Sequence, residues 1–161
     1  MTPTSTDQRQ VPGKHDDLTK RIIGVFYDVY NELGSGFLES VYRESMRIAF
    51  SQTGLSAKTE VPIAVSFRGE LAGIFRADLT VNDLVLIELK AIAALSREHE
   101  SQTLNYLRAT ELEVALLMNF GPSPRFRRLV MNNENKKIAS KSALSVSIGV
   151  MPFDDTTEVS L

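Results

Sequence analysis

The sequence predicts a mixed α/β domain with the element order α-α-β-β-β-α-β-β. Three observations predict it. Apolar residues recur at spacings of three and four over residues 16–33 and 38–50, as on one face of a helix. Residues 61–67, 74–81 and 84–89 carry strand patterns, the first with strict alternation. Turn chemistry separates those runs at Arg68-Gly69-Glu70 and Asn82-Asp83. Three consecutive strands followed by a helix and a strand describe a central mixed sheet flanked by helices.

Each element has its own reason. Residues 1–14 are polar with two prolines and a glycine, and read as a disordered N-terminal arm. Leu18, Ile22, Phe26, Val29 and Leu33 form the apolar stripe of a helix over Asp16–Leu33, which Gly34 and Gly36 stop. A second helix starts near Phe37 or Leu38. Leu38, Val41, Tyr42, Met46, Ala49 and Phe50 mark its buried face, and Gly54 ends it. Val61, Ile63, Val65 and Phe67 share one face of a strand. The third strand, Leu84 to Leu89, is apolar almost throughout and is expected to be central, covered on both faces. Ser96 suits the N-cap of a helix over residues 97–110. Val114–Asn119 reads as another buried strand and residues 126–131 as the last. The domain is thus expected over 15–131, with 132–161 a C-terminal tail of uncertain order, polar apart from Leu144 to Met151.

Composition removes several function classes. With no cysteine there is neither a disulfide framework nor a thiolate zinc site, and two histidines exclude a multi-histidine centre. No apolar run approaches the roughly 20 residues that span a bilayer. The first residues lack the apolar core of a signal peptide, so no membrane contact and a cytoplasmic location are expected. A formal net charge of −2 does not favour a tight, permanent binder of DNA or RNA. It leaves room for a site whose metal ion adds positive charge locally.

The chemistry concentrates on the hairpin from Arg76 to Lys90. If its loop is the three residues Asn82 to Leu84, Val81 faces Val85 and Asp78 stands opposite Glu88. A two-residue loop would instead put Asp78 opposite Ile87. In the first register two carboxylates share a face, and they repel unless a cation or proton sits between them. Oxygen ligands suit Mg²⁺ or Mn²⁺. Lys90, two residues beyond Glu88, returns to the same face, where its ammonium could hold an attacking water or stabilise developing charge. Glu-x-Lys is also common in ordinary strands, as a solvated edge or salt bridge. Charges in an otherwise apolar central strand, however, are costly unless they serve something.

Gln102 and Tyr106, four apart, share a helix face and could address a phosphate, a water or a metal-site carboxylate, or simply line the helix surface and pack on the core. Glu39 falls in the first turn of the second helix, where the helix dipole alone is enough to explain a carboxylate. Gly36 frees the backbone entering that helix, and Tyr42 could support Glu39 or simply pack. His99 receives no role. Arg125, Arg127 and Arg128 form a small basic cluster that reads as a solvated loop, with phosphate contact as the other possibility.

The segment Gly36-x-x-Glu39-x-x-Tyr42 resembles the signature of the GxxExxY family, grouped with the PD-(D/E)xK nuclease superfamily. The resemblance covers about Leu18 to Met131 and implies a restriction-endonuclease-like core. It implies that Asp78 is the metal-binding aspartate and that Glu88 and Lys90 form the (D/E)-x-K element, with the Leu89 backbone carbonyl as a further ligand. Glu39 matches the helix-borne glutamate of RecB-like and lambda-exonuclease-like members, and Gln102 and Tyr106 match their Gln-x-x-x-Tyr helix. Ala77 stands where the superfamily loosely keeps a proline. The expected function is a Mg²⁺- or Mn²⁺-dependent nuclease cutting phosphodiester bonds, in DNA rather than RNA, with help from a protein partner or a second copy. The alternative is a non-catalytic nucleic-acid-binding or regulatory module that retains the fold.

Overall fold

The computed structural model describes residues 13–136. Residues 1–12 and 137–161, which hold most of the expected arm and tail including 144–151, lie outside the described residues. The elements are α1 (Asp16–Leu33), α2 (Glu39–Gln52), β1 (Ala57–Phe67), β2 (Glu70–Val81), β3 (Val85–Lys90), α3 (Arg97–Arg108), β4 (Val114–Asn119) and β5 (Arg125–Val130), followed by a 3-10 turn over Asn133–Asn135. The five strands form one sheet in sequence order. Neighbours are antiparallel except β3 and β4, which run parallel because α3 carries the chain back between them. The expected mixed sheet with flanking helices is therefore the fold observed.

Two cores explain which residues face where. Ile22 and Phe26 of α1 and Tyr42, Met46 and Phe50 of α2 pack with Val85, Ile87 and Leu89 on one sheet face. Leu107 of α3 packs with Leu86 and Ala115 on the other. β3 and β4 are covered on both faces, which is why they read as continuous apolar runs. The capping box at Ser96 starts α3, with the Ser96 N–H donating to His99 Nδ1 at 3.0 Å, so His99 has a structural task.

The structure departs from the expected boundaries where tertiary pairing outruns the apolar pattern. β1 begins at Ala57, and β2 at Glu70, because the two strands pair along nearly their whole length. β3 meets β2 only from Leu79 to Val81, so much of the β1–β2 hairpin has no third strand beside it. Of the four residues expected to share a face of β1, Val61 and Ile63 are buried while Val65 and Phe67 are consequently exposed, as are Leu71 and Ile74. The arginine cluster is not a loop. It lies on edge strand β5, where Phe126 packs towards α1 and Arg128 meets Asp16 at 3.2 Å.

The chain leaving β3 is clamped. Asn119 Oδ1 accepts from Ile92 N–H and its Nδ2 donates to Ile92 O, both at 3.0 Å, as a neighbouring backbone would. The Phe120 N–H donates to Lys90 O at 2.7 Å. Gly121 lets the two segments meet: a Cβ there would stand 2.0 Å from the Ile92 carbonyl oxygen. Gly121→Ala should therefore force the segment after Lys90 away from β4 and destabilise the fold by about 2 kcal/mol or more. A urea midpoint unchanged from wild type would contradict that close approach.

Candidate functional site

The site grows from a fork in the sheet. The β2–β3 ladder pairs Val81 with Val85, Thr80 with Leu86 and Leu79 with Ile87. This is the register of the three-residue loop; Asn82 and Asp83 both take positive φ there, which Asn and Asp tolerate better than most residues. The ladder ends just before Asp78 and Glu88. Asp78 Oδ2 accepts from the Leu89 N–H at 2.8 Å, and Glu88 Oε1 accepts from the Asp78 N–H at 3.3 Å. Two side chains thus take over where backbone pairing stops, and they hold the carboxylates side by side.

At the same point β2 turns over. Leu79 belongs to the α1–α2 core, whereas Ala77, two residues earlier, belongs to the α3 core. A regular strand would keep both on one face. In β1, Glu60 lies between the pairs Thr59–Leu79 and Val61–Ala77 and has φ of +50°, the left-handed region. The distortion in both strands falls on the pair that carries Asp78.

Glu88 is only 7% exposed. Burial first, and the neighbouring Asp78 charge second, push its carboxyl up to about 8, while Lys90 works in the opposite direction. Glu88 Oε2 accepts no hydrogen bond among the described residues. The Lys90 ammonium has neither a hydrogen bond nor an ion pair there. Glu39 is half-buried in the first turn of α2, and its charge also raises the Glu88 carboxyl. Among the described residues no three acidic or histidine side chains gather closely enough to hold an ion together. The pair Asp78–Glu88 nevertheless fits a hard divalent cation: all-oxygen donors, a free carboxylate oxygen, and a crowding of charge that a cation would relieve.

Gly36 and Tyr42 place Glu39. Gly36 has φ of +108°, which a side chain would strain. The Tyr42 hydroxyl donates to Gly34 O at 2.6 Å and accepts from the Phe37 N–H at 3.2 Å. Its ring stacks on Phe120 with centroids 4.2 Å apart. Tyr42 therefore supports the loop leading into α2 and does not itself hydrogen-bond Glu39. From the other side of the sheet, Gln102 Nε2 donates to the Tyr106 hydroxyl at 2.8 Å, and Tyr106 stacks on Phe75 with centroids 3.7 Å apart. Burial and the Glu88 and Asp78 charges raise the Tyr106 hydroxyl above its ordinary value. Tyr106 thus feels the carboxylate charges, while among the described residues the side chains of the α3 pair hydrogen-bond only to each other and not to Asp78 or Glu88.

Arg43 escaped sequence reasoning. Its guanidinium donates to Asp78 Oδ1 at 3.2 Å and lies 3.6 Å from Glu60. The signal was present: Arg43 is four residues beyond Glu39 and shares its helix face. Asn119 and Gly121 also escaped, because their importance lies in a contact with a segment nearly 30 residues away.

The raised Glu88 carboxyl has a consequence for stability. Without metal, Glu88 keeps its proton to about pH 8 in the folded chain, against 4.5 for an ordinary glutamate. The folded state binds more protons between those values, so this group makes stability fall as pH rises from about 5 to 8. Glu88→Gln, neutral throughout, should match wild type near pH 5 and exceed it near pH 8 by on the order of a few kcal/mol. Urea unfolding in EDTA at the two pH values reads the difference; equal gaps at both would mean that Glu88 ionises freely.

No curated protein matches the sequence. The solved structure "Crystal structure of SSO0001" is 14% identical, with a TM-score of 0.49. The alignment covers 82% of this chain and 64% of that one, so the chain spans less than two thirds of that protein's length. A family model, described as the PD-(D/E)XK nuclease superfamily, matches residues 16–129, from the start of α1 into β5. The chain belongs to the PD-(D/E)XK nuclease superfamily.

Proposed function

We propose that the chain is a divalent-metal-dependent nuclease that hydrolyses phosphodiester bonds, in DNA in preference to RNA. The observation that carries the reading is the carboxylate pair at the sheet fork, with a free Glu88 oxygen and an uncommitted lysine two residues on. Superfamily membership implies a nucleic-acid substrate, and its nucleases generally use divalent metals. Within it we assign the chain to the GxxExxY family and the RecB-like branch. The supporting feature is the left-handed Gly36, the Tyr42 clasp and the Glu39 they present to the site.

In this reading Asp78, Glu88 and the Leu89 carbonyl hold Mg²⁺ or Mn²⁺, with Glu39 completing the surroundings. The ion supplies Lewis-acid activation of water and neutralisation of phosphate charge. Leu89 serves twice: its N–H fixes Asp78 and its side chain anchors β3 in the α1–α2 core. Lys90 orients the attacking water and meets the negative charge that builds on the phosphorus oxygens. Gln102 and Tyr106 position the substrate from α3, the tyrosine held in place by Phe75. The clamp at Asn119 and Gly121 keeps Lys90 from fraying at the end of its strand.

A cleavage panel of single-stranded, double-stranded and branched DNA and of RNA, with Mg²⁺ and with Mn²⁺, tests the proposal. Glu88→Ala and Lys90→Ala should each lower cleavage by about a hundredfold or more while leaving the circular dichroism spectrum unchanged. Undiminished cutting by the Lys90→Ala chain would remove the lysine from the mechanism. Absence of Mn²⁺ binding in calorimetry would remove the metal.

A further inference from the structure

The arginines of β5 have no place in that mechanism, yet the sheet brings them to it. Leu86, Ala115 and Leu129 form a row across β3, β4 and β5 within the α3-side core. Steps of two residues keep a strand's face. The next rows on that face are therefore Glu88, Leu117 and Arg127, then Lys90, Asn119 and Arg125. Arg125 and Arg127 thus lie two strand spacings, about 10 Å, from the proposed catalytic pair. Arg128 has the other parity and meets Asp16 at 3.2 Å.

Next to these rows a cleft of about 260 Å³ opens between the segment after β3 and the β4–β5 turn. Ala93, Ala94, Asn119, Ser123, Arg125 and Arg127 line it. Arg125 donates to Pro124 O at 3.0 Å and has no carboxylate partner among the described residues. Arg127 donates to Phe126 O and to Glu100 Oε1, each at 3.1 Å. The Glu100 pair is solvent-accessible, and such screened pairs contribute little to stability. An incoming phosphate can displace it, since a guanidinium binds phosphate through parallel, charge-assisted hydrogen bonds. Small alanines on one wall and a serine hydroxyl on another leave room for a phosphate group and offer it a further donor.

We infer that this cleft binds a non-scissile phosphate of the nucleic-acid strand whose scissile phosphate lies at Glu88 and Lys90. The inference rests on the nuclease reading and deepens it. Two cations concentrated on the reactive face give a chain of net charge −2 a local grip on a polyanion, and set how far the strand slides past the carboxylates.

Fluorescence anisotropy of a short oligonucleotide, single-stranded and duplex, in Ca²⁺ buffer across a range of salt concentrations tests it. Calorimetry with Mn²⁺ runs alongside. The Arg125→Ala/Arg127→Ala chain should bind about tenfold more weakly, with a salt slope lower by about two, one for each lost phosphate contact. Its Mn²⁺ affinity should be unchanged. Lys20→Ala/Lys58→Ala removes the same charge from α1 and β1 and should leave both affinity and slope near wild type. Unchanged affinity and slope in the arginine variant would overturn the cleft alone, as would an equal loss in the lysine control. A wild-type chain that binds Mn²⁺ but no oligonucleotide overturns the cleft; one that binds neither overturns the nuclease reading and the cleft with it.

Discussion

The hydrogen bond from the Leu89 N–H to the Asp78 carboxylate holds the structure's working part together. Regular backbone pairing between β2 and β3 ends at Leu79 and Ile87, so the amide of Leu89 would otherwise lack its strand partner. A side-chain oxygen supplies the acceptor, and in doing so draws a carboxylate onto the apolar central strand. Glu88 answers by taking the Asp78 N–H. The two acids are thereby built into the ladder, and their separation is set by backbone geometry with little help from side-chain freedom. Sites mounted on such rigid elements hold their geometry better than sites on loops.

That arrangement concentrates negative charge where water is scarce. The raised Glu88 carboxyl expresses the cost, and the surrounding cations express how the fold limits it. Arg43 bridges towards Asp78 and Glu60 from α2, while Lys90 faces Glu88 along β3. The elements beyond the fork also serve it. Tyr42 and Gly36 shape the start of α2, Asn119 and Gly121 tie down the end of β3, and the Phe75–Tyr106 stack sets α3 against β2.

Much of this was legible in the residues, though unevenly. The stripe in α1 and the apolar run of β3 revealed their elements because burial on one face or two imposes a period that composition records. The hairpin offered two registers, and only the pairing of Val81 with Val85 chose between them. The extent of β1 and β2 and the exposure of Val65 and Phe67 depended on where β3 stops, which no local pattern encodes. The arginines of β5 looked like loop residues because charge at the exposed positions 125 and 127 of an edge strand resembles a solvated run.

The sequence by itself determined the helices, the order of elements along the chain, and the presence of two acids and a lysine on one hairpin in a chain without thiolates or a histidine cluster. Those follow from periodicity and residue chemistry, which are local. The tertiary structure alone decided that β2 turns over beside Glu60, that Arg43 reaches Asp78, and that Arg125 and Arg127 share a face with Glu88 and Lys90. These depend on how separate strands and helices pack, and contacts between residues far apart in the chain leave no period in it.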